Sequence, residues 1–192
     1  MSWFFTAVFT VSILVVQPLN AAERDSRDAQ SVQEPENGPG DGQKFLKKLV
    51  GDWNVVKKVY PRSGNAVEVM GHCHQAMIHD GRFLRSDFVF QQNGKSVTGL
   101  SIVGFDPDTQ KFTSFWTDSR STRISIRQSA DPFDGKTLVL HSRQLSPSKL
   151  DRPESITESR LEGDGKKILH RQYVVEPDNK KRVIMELTLT RS

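Results

Sequence analysis

From Trp53 to the C-terminus, short runs of β-branched and aromatic residues alternate with polar residues and end at turn residues every ten to fifteen positions or so. Alternation with a period of two is typical of strands that bury one face. Asp80-Gly81 and Asn93-Gly94 favour type I′ hairpins, because both central residues of such a turn need positive φ. The pattern predicts ten strands, at 53–60, 66–79, 82–91, 96–105, 110–118, 121–129, 136–145, 154–162, 166–176 and 181–190.

The best-defined hairpin spans residues 99–118, where two strand-like runs flank a turn at Asp106-Pro107. A carboxylate at the first turn position can accept hydrogen bonds from the turn's own amides, and proline presets φ near about −65°. Ten sequential strands with short turns would leave exposed edges in an open sheet. The sequence therefore predicts an all-β fold, an antiparallel up-and-down barrel of about ten strands.

A short helix is predicted immediately before the first strand. Phe45, Leu46, Leu49 and Val50 fall at helical spacing, and Gly51 ends the run after about two turns. Between the seventh and eighth strands, residues 146–153 form a longer connection. We place the barrel domain at 44–192.

Residues 1–22 differ from the rest of the chain. Phe4–Val16 is a largely apolar run of 13 residues, short for a bilayer span, and Pro18 and small residues follow it. This layout is typical of a cleaved signal peptide, although no Lys or Arg precedes the run. An uncleaved membrane anchor is the alternative. The sequence thus predicts export to the periplasm or the extracellular space, and a mature chain that is not an integral membrane protein.

Residues 23–43 are rich in acidic residues, Gln, Ser, Gly and Pro and contain no aromatic residue. Such a segment buries too little apolar surface to offset its ordering entropy, so we predict a disordered acidic linker. Residues 1–22 carry no charge, and 23–43 hold six of the 23 acidic and two of the 27 basic residues. This leaves 17 acidic and 25 basic residues, a net charge of +8, in 44–192. Export and the even scatter of Lys and Arg argue against nucleic acid as a partner.

The segment Leu49-Val-Gly-Asp-Trp-Asn54 resembles the Gly-x-Trp motif of the lipocalin-like (calycin) barrels, in which the Trp of the first strand closes the barrel floor. Four further segments strengthen the resemblance: Gly81-Arg-Phe-Leu84, Gly104-Phe-Asp-Pro-Asp108, Phe112-Thr-Ser-Phe-Trp-Thr-Asp118 and Leu187-Thr-Leu-Thr-Arg191. Together they are similar to a family of exported, mostly bacterial proteins, a domain of unknown function with a calycin-like barrel. The resemblance covers 44–192, is most specific in 99–122, and implies a fold and a location but no activity.

Lipocalin-like barrels in general hold small apolar ligands, and one branch binds haem through His. This sequence departs from the secreted lipocalins in its greater number of predicted strands and its single cysteine, Cys73. The single cysteine excludes an internal disulfide, and we interpret it as a buried apolar filler. Ligand binding is therefore implied only at the level of the fold.

Candidate ligand-binding residues lie mainly on the fifth predicted strand, where one face has mixed polarity, as the lumen of a ligand-binding barrel would. Asp118 and Arg123 flank the turn that follows, where a guanidinium could bind a carboxylate or phosphate bidentately. The alternatives are a turn cap with a surface ion pair, and core packing of the aromatic side chains. The candidates are Trp53, Phe112, Ser114, Trp116, Asp118 and Arg123.

Metal ligation is considered for His72 and His74, which share one face of the second strand while Cys73 faces the other way. Two imidazoles could share a zinc ion, or one could ligate haem. His79 falls on the opposite face, so no third ligand stands at suitable spacing. We therefore favour two histidines on a solvated or lumen face and no cofactor, with zinc or haem as the alternative.

The sequence contains no Gly-x-Ser-x-Gly, Gly-rich phosphate loop or His-Glu-x-x-His motif. Enzymatic activity is left open, and a non-enzymatic role is favoured. The first hypothesis is an exported barrel that binds a small, partly apolar molecule in its lumen. The alternatives are a periplasmic or cell-surface module that binds an envelope protein without a small ligand, and a haem- or metal-binding barrel.

Overall fold

The computed structural model describes residues 37–143 and 153–192, which form one short helix and ten strands. Their bounds are α1 Asp41–Lys48, β1 Gly51–Val59, β2 Val67–Ile78, β3 Phe83–Gln92, β4 Lys95–Asp106, β5 Lys111–Asp118, β6 Ser121–Gln128, β7 Thr137–Arg143, β8 Ser155–Glu162, β9 Lys167–Val175 and β10 Lys181–Arg191. The predicted signal peptide, most of the predicted linker and most of the 146–153 connection lie outside the described residues. No helical segment in the described part of the chain has the length and hydropathy of a transmembrane span.

The ten strands form a closed antiparallel barrel in which each strand pairs with its neighbours in the sequence. β1 and β10 close the barrel, in a ladder that runs from Trp53 opposite Arg191 to Val59 opposite Met185. Closure pairs the first strand with the last, so neither remains a free edge. The predicted up-and-down barrel is confirmed, and the ends of the ten strands differ from the predicted ends by at most two residues.

The two predicted type I′ turns have different outcomes. Asn93 and Gly94 both have positive φ, 51° and 73°, as the type I′ prediction requires. The hairpin between β2 and β3 is confirmed. The predicted two-residue turn within it is wrong, because a four-residue loop at 79–82 joins the strands. His79, Asp80 and Gly81 all have positive φ in that loop, and three such residues do not fit a two-residue turn.

The helix begins at Asp41, three residues before the predicted domain boundary at 44. Gln43 is buried, and its side chain accepts a hydrogen bond from the Gly40 amide at 2.7 Å and donates one to the Phe105 carbonyl at 2.8 Å. A Cβ at Gly42 would lie 2.2 Å from the Phe105 ring, so the helix packs closely on β4. The C-terminal end of the predicted linker is therefore part of the barrel domain.

The end of the barrel covered by α1 is called the floor here. Trp53 is fully buried at the floor, and its Nε1 donates a hydrogen bond to the Leu49 carbonyl at 3.0 Å. The Arg191 guanidinium lies 4.5 Å from the centre of the Trp53 ring and also donates to the Val50 carbonyl at 3.1 Å. Trp53 thus closes the floor, as the Gly-x-Trp resemblance implies. The opposite end, where the β5–β6 hairpin turns at 119–120, is called the mouth.

Candidate ligand-binding site

A cavity of about 210 Å³ lies in the lumen, and its lining comes from all ten strands, from Leu49 and from Arg120 of the β5–β6 turn. This volume is large enough for a small organic molecule or several waters. Leucine, isoleucine, valine, methionine and aromatic side chains make up much of the lining. Its uncharged polar members are Gln75, Ser86, Ser101, Ser114, Thr157, Ser159, His170 and Gln172.

Ser114 and Trp116, two of the residues selected from the sequence, line this cavity. The Trp116 ring lies across Gly99 of the neighbouring strand, where an added Cβ would lie 2.3 Å from the ring. The ring also meets Phe88, with 5.5 Å between centroids. Glycine at position 99 therefore makes room for an aromatic wall of the cavity.

Phe112 and Trp53 are not part of the lining of the lumen cavity, so the structure does not bring them together with Ser114 and Trp116. Phe112 is 1% exposed and packs against Phe105 and Phe133, with ring centroids 4.8 and 4.9 Å away. Both residues lie at the floor end of their strands, where α1 covers the barrel. The alternative interpretation, core packing of large aromatic side chains, holds for these two.

Asp118 forms the turn cap and ion pair that stood as the alternative to a ligand contact. Its carboxylate accepts hydrogen bonds from the Arg120 guanidinium at 2.8 Å, the Arg120 amide at 2.9 Å and Trp116 Nε1 at 3.1 Å. The hydrogen bonds from Arg120 are the main reason why the pKa of Asp118 falls well below its usual range. Asp118 thus orients two side chains of the cavity lining without belonging to it.

Arg123 is exposed and lies outside the lining of the lumen cavity, so the structure does not bring it to Ser114 and Trp116. The cause is a shift in the register between β5 and β6. Asp118 pairs with Ser121, but Trp116 pairs with Ser125 instead of with Arg123, because the ladder is interrupted between Trp116 and Asp118.

The two candidate metal ligands lie on the outside of the barrel. His72 and His74 are exposed, and His74 Nδ1 lies 2.7 Å from Asp52 Oδ1. Cys73 points inward and is buried, and burial raises the pKa of its thiol. Among the described residues no three His, Cys, Asp or Glu side chains are grouped for a metal ion. His72 and His74 therefore do not fit a cofactor held in the lumen.

Arg127 is the most important lumen residue that the sequence did not reveal. It lies on β6 opposite Ser114 and lines the cavity. Its Nε is buried without a hydrogen-bond partner in the described part of the chain, and burial lowers the pKa of the guanidinium. An antiparallel partner shares the face of the residue it pairs with, so the inward position of Ser114 was the signal that could have located Arg127.

His170 also lines the cavity, on β9, and its Nδ1 lies 2.8 Å from the Ser159 hydroxyl. Burial, together with the nearby positive charge of Arg127, lowers the pKa of His170 to about 4. The imidazole is therefore neutral at physiological pH. Alternation along β9 places Ile168, His170 and Gln172 on one face, but nothing in that pattern marks the face as inward.

Two further basic side chains reach the cavity near the mouth. Lys57 Nζ lies 5.1 Å from the centre of the Phe90 ring, and its pKa is lowered mainly by burial and further by the charge of Arg120. Arg120 is paired with Asp118. The charged side chains of the described cavity lining, Lys57, Arg120 and Arg127, are thus all basic.

A closed antiparallel barrel with a helix-covered floor and a cavity of mixed polarity defines a lipocalin-like (calycin) barrel protein. The family model described as "Protein of unknown function (DUF1579)" matches residues 38–191, and the chain belongs to this family. Among curated proteins, no sequence matches this one significantly.

Two solved structures share the fold. The S-type phycobiliprotein lyase CpeS from Guillardia theta aligns with a TM-score of 0.53 and 12% sequence identity, over 79% of this chain and 92% of that chain. Rv2717c from M. tuberculosis aligns with a TM-score of 0.55 and 14% identity, over 81% of this chain and 99% of that chain. At such low identities the likeness extends to the fold and no further.

Proposed function

We propose that this protein is an exported, non-enzymatic β-barrel that binds a small, partly apolar molecule in its lumen. The observation that carries the proposal is the cavity of about 210 Å³, whose lining is divided between apolar and polar side chains. Apolar walls supply most of the binding free energy of small ligands, and a few polar groups fix their orientation. Export is inferred from the signal-peptide layout of residues 1–22.

The non-enzymatic part of the proposal rests on the chemistry of the lumen. Ser159 and His170 form a Ser–His hydrogen bond there, which invites comparison with a hydrolase. A general base works best when its pKa is near the working pH, and the pKa of His170 is about 4. No carboxylate of the described residues is hydrogen-bonded to His170 to orient it and raise its basicity. This pair is therefore better suited to contacting a ligand than to activating a nucleophile.

The alternative function, an envelope protein-interaction module without a small ligand, stays a prediction. The two functions differ in what the lumen does. If the lumen is only a packed core, filling the cavity leaves the function unchanged. If the lumen is a binding site, filling it removes the function.

We expect Ser101→Phe to abolish the binding of a small apolar probe. Ser101 lines the cavity between Ser86 and Trp116 on the neighbouring strands, so a benzyl side chain at this position occupies the space of the ligand. The probe is N-phenyl-1-naphthylamine, an uncharged dye whose fluorescence rises in apolar surroundings. A fluorescence titration should give saturable binding of one dye per chain to the wild type and none to the variant.

The matched control is Ser96→Phe, the same substitution on the same strand. Ser96 is exposed and, by alternation, lies on the outer face of β4. This control should bind the dye as the wild type does, and circular dichroism should show all three proteins folded. Equal binding by wild type and Ser101→Phe, or no binding by the wild type, would rule out the lumen as the site.

A further inference from the structure

We infer that the ligand carries an oxyanion, such as a carboxylate, which Arg127 holds inside the lumen. This inference rests on the proposed function, because it names the chemistry of the molecule that the same cavity binds. The proposed ligand has two parts, an apolar body that contacts the walls of the cavity and one anionic group that contacts Arg127.

The first observation concerns buried polar atoms that lack partners. In the described part of the chain, two buried side-chain atoms have no hydrogen-bond partner, Nε of Arg127 and Oε1 of Gln75. Both side chains line the same cavity. Buried polar atoms in folded proteins are nearly always paired, and an unpaired one needs a specific reason. A ligand that supplies both partners is such a reason.

The second observation concerns charge. A guanidinium keeps its proton at any physiological pH, so the half-buried Arg127 is a charged group that has lost part of its hydration. Burial lowers the pKa of Arg127, and no carboxylate of the described residues is paired with it. Removing a charge from water without supplying a partner is unfavourable. The partner that the described chain does not provide is a negative charge, and a carboxylate fits the planar fork of arginine with two parallel hydrogen bonds.

The other polar side chains of the cavity indicate which charge and which hydrogen-bonding groups the ligand carries. His170 is neutral and adds no second positive charge near Arg127. Arg120 at the mouth is paired with Asp118, and Lys57 leaves the mouth positive, which favours the approach of an anion. The unpaired acceptor of Gln75 takes a hydrogen bond from a donor, such as a hydroxyl or N–H group of the ligand. The ligand class is therefore a partly apolar anion that also carries a hydrogen-bond donor.

The test compares two dyes that differ in one group. 8-Anilinonaphthalene-1-sulfonate is N-phenyl-1-naphthylamine with a sulfonate added. The difference in affinity between the two dyes therefore measures how much the anionic group contributes to binding. Wild type should bind the sulfonate dye about 10- to 100-fold more tightly, the range expected for a hydrogen-bonded charge. Arg127→Met should remove that preference by lowering the affinity for the sulfonate dye. The matched control, Arg123→Met, changes an exposed arginine of the same strand and should behave as the wild type does.

Three results would overturn the inference. Equal affinity of the wild type for both dyes would do so while leaving the proposed function intact, and it needs no variant, so the inference stays testable even if Arg127→Met does not fold. A loss of sulfonate affinity in Lys57→Met as large as in Arg127→Met would place the anion at the mouth. Failure of the wild type to bind either dye would overturn the inference and the proposed function together.

Discussion

Trp53→Ala is expected to lower the free energy of unfolding by about 3–5 kcal/mol, the range for a large aromatic side chain removed from a core. The side chain is 0% exposed and lies where α1, β1 and β10 meet. Its loss would open a cavity at the floor, leave the Leu49 carbonyl without its donor, and remove the ring on which Arg191 stacks. A domain of this size has a total stability of about 5–15 kcal/mol, so the variant would keep little of it.

Denaturation with urea, followed by circular dichroism, measures this loss. Two variants serve as controls. Trp53→Phe keeps the ring and loses only the N–H, so it should cost clearly less, about 1–2 kcal/mol for the hydrogen bond and the smaller volume. Trp116→Ala should also cost less, because the Trp116 ring faces the cavity on one side. A loss below about 2 kcal/mol for Trp53→Ala would contradict the role of this residue in closing the floor.

Between pH 6.5 and pH 4 the protein is expected to lose about 3 kcal/mol of stability through His170. The ordinary pKa of histidine, 6.5, applies in the unfolded chain, whereas the folded value is about 4. In this window the unfolded chain binds a proton that the folded barrel does not accept, so acid favours unfolding. The loss begins as pH falls through 6.5, is complete near pH 4, and is absent above 6.5.

The variant His170→Gln isolates this contribution from the acidic residues, which also titrate in the same range. Glutamine can still hydrogen-bond to Ser159 but cannot be protonated. Urea denaturation of the ligand-free proteins at pH 7 and near pH 4 should show a smaller loss of stability on acidification for His170→Gln, by about 3 kcal/mol. The same loss in both proteins would mean that His170 is solvated enough to be protonated in the folded state.

Much of the fold could be predicted from the sequence because its signals are local. Each strand is a short alternating run that ends in a turn, and closure follows from the number of strands. The start of the helix could not be predicted in this way. Gly38, Pro39 and Gly40 have the composition of a linker, and the segment that follows is fixed by the contact of Gln43 with Phe105, 62 positions away.

The candidate site could be predicted only in part, because on β6 the isoleucines face outward and a charged side chain faces the lumen. Ile124 is 56% exposed, and Ile126 pairs on the outer face with Phe115, while Arg127 points into the lumen. A reader of the sequence who places the isoleucines inward puts Arg127 outside. The pairing of Arg127 with Ser114, whose side chain points inward, corrects the choice of face.

The central claim is that the lumen holds a small molecule, and native mass spectrometry of the protein purified from its own organism tests it most directly. We expect the wild type and Ser96→Phe to carry one small molecule per chain, and Ser101→Phe to carry none. The released molecule should be a partly apolar anion. The claim would be contradicted if the wild type had the mass of the bare chain, or if Ser101→Phe retained the same bound molecule.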